Sequence, residues 1–109
     1  MTSQSALQEL QAWYSVHCNG DWEHGSGIVI QTLDNPGWLF CVDLQDTELA
    51  EMPFVETKEN YEDDMDWLSC SKAGMQFSGY GGPLMLERMI SIFLEWARMS
   101  IESQIDSVS

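Results

Sequence analysis

The chain has 109 residues, 44% of them hydrophobic and 11% aromatic, which fits one domain with one core that needs no staples. Four basic residues face eighteen acids, a net charge of −14. That balance excludes nucleic acid as a partner, because phosphates require Lys and Arg to neutralise them.

The same charge repels anionic lipid and favours basic partners, whose encounter a one-signed surface accelerates; the plainer reading is that acidity serves solubility. No stretch approaches the roughly 20 apolar residues of a membrane span. Met1-Thr2-Ser3-Gln4-Ser5 has neither the basic region nor the apolar run of a signal peptide. Cys18, Cys41 and Cys70 are odd in number and never spaced Cys-x-x-Cys, so a cytoplasmic protein without a disulfide framework is expected.

In chain order, Ser5 followed by Gln8 reads as a capping box opening a helix from about Ala6 to Cys18. Ala6, Leu7, Leu10, Trp13, Tyr14, His17 and Cys18 share one side of its wheel. Asn19-Gly20 ends it with residues that tolerate the left-handed conformation. Gly27 to Leu33 is rich in β-branched residues, and Trp38 to Leu44 follows the turn Asp34-Asn35-Pro36-Gly37, so the two runs form a hairpin. Between Gln45 and Asp66, Leu49, Pro53, Phe54 and Val55 fit either a short strand or a covering loop. Nine acids crowd that stretch with Lys58 as its only base, and like charges at that density favour exposure.

Trp67 to Lys72 and Met75 to Tyr80 read as a second hairpin around Ala73-Gly74. Gly81-Gly82-Pro83 ends the sheet, with Pro83 near the first position of a last helix. Leu86, Met89, Ile90, Phe93, Leu94, Trp96, Ala97 and Ile101 cover more than half of that helix's wheel, which requires two contacts, the sheet and the first helix. From about Ser103 the pattern fades and a frayed tail is expected. The expected architecture is therefore α+β, a single domain with an antiparallel sheet of about four strands and both helices on one face.

Several motifs bear on function. Asp21, Glu23 and His24 could form an acid/base or metal cluster with His17 and Cys18 nearby, yet none of their spacings is a zinc pattern. His17 lies centrally on the apolar face and reads as a core histidine. No serine sits in a Gly-x-Ser-x-Gly elbow. Gly79-Tyr80-Gly81-Gly82 precedes a helix like an anion-binding loop, but no Lys or Ser/Thr follows it directly. No catalytic residue, metal or cofactor is therefore expected. The alternative is a small cytosolic enzyme or metal-binding protein using His17, His24 and a cysteine.

Gly20-Asp21-Trp22-Glu23-His24, Leu33-Asp34-Asn35-Pro36-Gly37-Trp38, and Gly81-Gly82-Pro83 ahead of Phe93-Leu94-Glu95-Trp96-Ala97 occur in one order. Together, from about Leu7 to Ala97, they resemble the bacterial immunity protein 53 family. The resemblance implies a cytoplasmic protein that neutralises the cognate toxin domain of a polymorphic toxin system. Rhodanese-like sulfurtransferase chemistry, a label some relatives carry, does not fit the residues. Cys41 lies within a strand followed by Asp43 and Asp46, and Cys70 precedes neither an arginine nor a helix that would stabilise a thiolate. The surface expected to meet the toxin comprises Asp21, Trp22, Glu23 and His24 together with Glu59, Glu62, Asp63, Asp64 and Asp66. Its acids would mimic a phosphate backbone to a basic, nuclease-type cleft, and exposed tryptophans would act as anchors.

Overall fold

A computed structural model describes residues 5–25, 27–60 and 65–108, with side chains described as far as Met99. The first helix, α1 (Ala6–His17), begins where the capping box places it. Gln8 N donates to Ser5 Oγ at 3.2 Å and Ser5 N donates to Gln8 Oε1 at 2.9 Å, so two amides left over by the helix start are satisfied reciprocally. Its inner stripe is narrower than the wheel implies. Leu10 is buried, and Ala6, Trp13 and His17 are partly so, at helical spacing. Leu7 and Tyr14 are exposed because α1 touches the rest of the molecule along one line only.

Both expected hairpins are present. β1 (Ile28–Leu33) and β2 (Gly37–Asp43) pair from Ile28↔Val42 to Leu33↔Gly37. β4 (Leu68–Ala73) and β5 (Gln76–Gly81) turn at Gly74-Met75, one residue later than expected, with Gly74 at φ 60°. A fifth strand was not foreseen: β3 (Thr57–Glu59) pairs with β4 from Thr57↔Cys70 to Glu59↔Leu68. Three residues in an acidic stretch show no alternation, and only pairing with β4 makes them a strand. The sheet is antiparallel throughout, in the order β1-β2-β5-β4-β3.

Paired residues in an antiparallel ladder share a face, so the register assigns every strand residue to one side. One face carries Trp38, Phe40 and Val42 from β2, Phe77, Gly79 and Gly81 from β5, and Leu68 and Cys70 from β4. Helix α2 (Leu86–Val108) packs there against β2 and β5. The helix comes close at Gly79, where a Cβ would sit 3.0 Å from Met89 Sδ and the methionine would have to shift. Pro83 lies in a turn closed by Met85 N donating to Gly82 O at 3.1 Å, ahead of the helix rather than at its first position. The α2 backbone continues through Ser103, where fraying was expected.

The wide apolar arc of α2 meets the two expected neighbours and a third. Phe93 packs on Phe40 and Phe77 of the sheet and on Trp13 of α1. Trp96 meets Phe54 of the segment after β2 and donates from Nε1 to Pro53 O at 3.0 Å. That segment is the covering loop of the two readings: Leu49 is buried, and Lys72 Nζ donates to the carbonyls of Ala50 and Met52 at 2.8 Å each. Burying each such aromatic ring contributes about 1.5–3 kcal/mol. Leu10 and Trp13 bring α1 into the same cluster, so both helices serve the same side of the sheet. Among the described residues no α-helix packs on the other face. That face presents residues such as Val29, Leu39, Cys41, Ser71, Ser78 and Tyr80, with Asp43 and Lys58 as its charged members.

Candidate functional site

The connection from α1 to β1 is built by its own polar side chains. Gly20, at φ 94°, turns the chain out of the helix. Asn19 Oδ1 accepts from Asp21 N and Trp22 N at 2.9 Å each, and Glu23 accepts from Asn19 N at 2.8 Å and Gly20 N at 2.6 Å. Backbone amides, including its own, hold the Glu23 carboxyl below the usual carboxylate range. A single 3-10 turn, Trp22–His24, follows.

Trp22 was expected at the surface. Its ring is instead 5% exposed, packed edge-on to Trp13, with Nε1 donating to Asp43 O at 2.9 Å. The reason is a carbonyl 21 residues along the chain that satisfies the indole N–H and lets the ring sink. Trp96 is buried as well, while Trp13, Trp38 and Trp67 are half-buried, so none of the five is fully exposed and Trp22 is not a surface anchor. Asp21 and His24 are exposed, and Asp21 shares a hollow of about 180 Å³ with Asp43 and Asp46.

His17 behaves as a structural residue. Its ring stacks on Trp13 at 4.0 Å between centroids, with Nδ1 2.8 Å from Trp13 O and Nε2 2.7 Å from Glu48 Oε2. Both ring nitrogens thus lie within hydrogen-bond reach of an oxygen. Burial alone would raise the Glu48 carboxyl, but hydrogen bonds from His17 and the backbone outweigh it and leave the group below its ordinary value. Among the described residues the buried Trp13 Nε1 makes no hydrogen bond of ordinary geometry, but its N–H approaches Glu48 and adds to the lowering there. The pair pins the covering loop to α1.

Among the expected acids of the later stretch, Glu59 lies on the helix-bearing face and is engaged by Arg88 through a two-point contact. That hydrogen bonding keeps its carboxyl below the ordinary value. Asp66 is exposed, and its carbonyl accepts from Asn60 Nδ2 at 3.2 Å. Glu62, Asp63 and Asp64 lie outside the described residues. The expected residues that are described do not share one cleft: Asp21 to His24 stand beside the start of β1, and Glu59 and Asp66 flank the opposite edge, by β3.

The groups of the enzymatic alternative are also apart in role. His17 is engaged with Glu48, and His24 is exposed on the turn. Cys70 is buried, which pushes its thiol up to about 12 and keeps it protonated at neutral pH. Among the described residues no three His, Cys, Asp or Glu side chains are arranged to hold a metal ion. None of their helices is long and apolar enough to cross a membrane.

These features define a small α+β domain whose internal polar groups hold its loops in place while exposed carboxylates ring the sheet. Residues 7–98 match the model of immunity protein 53, and the chain belongs to that family. Comparisons with curated proteins and with solved structures give no match.

Proposed function

We propose that the chain binds and neutralises a cognate bacterial toxin domain in the cytoplasm, and that the toxin presents a basic surface, as a nuclease does. The observation that carries this reading is family membership across residues 7–98. The charge supports it: half of the eighteen acids fall between Asp46 and Asp66. Asp21, Asp46, Glu51, Glu56 and Asp66 are exposed carboxylates able to steer a basic protein inward. Glu62, Asp63 and Asp64 add charge from the same stretch of sequence. With the Trp22 ring buried, that indole does not set the lifetime of the complex by direct contact. Trp22 supports the Asp21–His24 turn from behind.

The test has two stages. A toxin domain is first sought by co-purification with this chain from the source bacterium, and co-expression of the chain should restore growth to cells making that domain. Association rates should then fall steeply between low salt and about 0.1 M, where the Debye length shortens to about 10 Å. Reversing Glu62, Asp63 and Asp64 to Lys should slow association more than it speeds dissociation. Rates indifferent to both salt and reversal would leave the acidity a solubility device only.

A further inference from the structure

The two outer strands of the sheet are β1 and β3. An outer strand offers unpaired backbone N–H and C=O groups, and soluble proteins blunt such edges with brevity, charge, proline or a bulge. β3 is blunted twice over, being three residues long with Lys58 at its centre. β1 has none of these devices. Its six residues, Ile28-Val29-Ile30-Gln31-Thr32-Leu33, contain no charge and no proline, and they pair with β2 in unbroken register.

Hydrogen-bond alternation identifies the groups on offer. Asp43 N donates to Gly27 O at 2.8 Å, and Gly27 stands opposite Asp43 in the register that continues Ile28↔Val42. Gly27 therefore belongs to a bonded pair, and alternation assigns Val29, Gln31 and Leu33 to β2 as well. Ile28, Ile30 and Thr32 turn their N–H and C=O groups away from the sheet. Ile30 and Val29 are also 39% and 37% exposed, on opposite faces of the strand, so an added strand would find an apolar neighbour on each side.

We infer that β1 is the docking edge for an extended strand of the toxin domain, which joins the sheet as a sixth strand. The inference rests on the immunity reading. The occupant's chemistry follows from the charges around the edge: its centre is uncharged and β-branched, while acids stand at both ends, Asp21 and Glu23 before β1 and Asp34 after it. A matching strand is apolar for about six residues with Lys or Arg on its flanks. A second copy of this chain fits poorly, because both partners would carry −14.

The experiment uses as probe the purified toxin domain whose toxicity this chain relieves on co-expression. Hydrogen exchange is followed at each β1 amide, free and mixed. Slowed exchange confined to Ile28, Ile30 and Thr32 is expected. Two variants block the edge without touching the bonds to β2: Thr32→Pro removes an outward donor, and Ile30→Lys places a charge there. Each should weaken binding about a hundredfold, equivalent to losing two or three backbone hydrogen bonds. If Thr32→Pro fails to fold, Ile30→Lys alone decides. Wild-type binding that survives Ile30→Lys, with β1 amides still exchanging freely, overturns the edge assignment and leaves the immunity reading intact. No binding by wild type at all overturns the immunity reading itself. A concentration-dependent dimer of the free chain that Ile30→Lys abolishes would assign the edge to a second copy instead.

Discussion

The two edges of one sheet are built on opposite terms. β3 holds its place through β4 on one side and the Glu59–Arg88 ion pair beneath it, and its centre is a lysine. β1 is twice as long and follows the tightly bonded turn of Asn19, Trp22 and Glu23, yet it carries neither charge nor proline. Since both edges face the same solvent, solubility alone does not account for the difference. A chain carrying −14 has charge to spare for guarding an edge. Its absence from β1 marks where pairing is permitted.

That contrast presumes one cooperative sheet under both edges, and the largest expected effect tests it. Phe77 packs against Phe40, Phe54, Phe93 and Trp96, linking the sheet, the covering loop and α2. Phe77→Ala should cost about 3–5 kcal/mol in urea unfolding. The loss should abolish order at both edges in a single transition. Two separate transitions would mean that the edges melt independently and that the comparison is local.

The next effect belongs to the β1 side alone. Trp22→Ala removes a buried ring and should cost about 3 kcal/mol, whereas Trp22→Phe keeps most of the packing and loses the bond to Asp43 O, about 1 kcal/mol. Both values are read from thermal or urea unfolding. If Trp22→Ala left stability unchanged while shortening the life of a toxin complex, the ring would be a contact residue after all.

Much of this layout was legible in the sequence, and the boundary of legibility is physical. The Asp34–Pro36 turn and the Gly74 turn announce two hairpins because their signals are local. How the hairpins join, through β2 and β5, depends on pairing Trp38 with Gly81, and no local pattern encodes a partner so far along the chain. β3 is invisible for the same reason, as is the burial of Trp22. The acids were visible as charge, but the bonds that engage Glu23, Glu48 and Glu59 are made to backbone amides, a histidine and an arginine that only folding brings near.

A smaller effect sharpens the β1 side by pH. The Glu48 carboxyl lies below its ordinary 4.5 in the folded state. A depressed carboxylate contributes stability above its unfolded pKa, and that contribution is lost as pH falls through the folded value. Glu48→Gln should therefore be less stable than wild type near neutrality, by about 1 kcal/mol, a charge-assisted hydrogen bond discounted for the pair's partial exposure to solvent. The two thermal midpoints should converge in acid, below both pKa values. Midpoints separated equally at every pH would show that the carboxylate's charge is irrelevant to how the covering loop is pinned.

The smallest change in stability is expected at the guarded edge. Lys58 lies opposite Ser69 on the open face, exposed at the centre of a three-residue strand. Lys58→Val exchanges a charge for a residue that favours strands, on a surface where substitutions move stability by about 0.5 kcal/mol or less. The informative readout is association. If the lysine is what closes this edge, the variant should form concentration-dependent dimers in sedimentation while wild type does not. Introducing Ile30→Lys at β1 should leave those dimers unaffected, because the contact would lie at the opposite side of the sheet. Dimers that disappear with Ile30→Lys would instead show that β1 is the partner surface for an opened β3, a head-to-tail contact between copies. If the variant stays monomeric at every concentration, three residues are too few to pair whatever their charge. The guard at β3 would then be its length, leaving the uncharged six residues of β1, among the described strands, as the edge long enough to accept a strand.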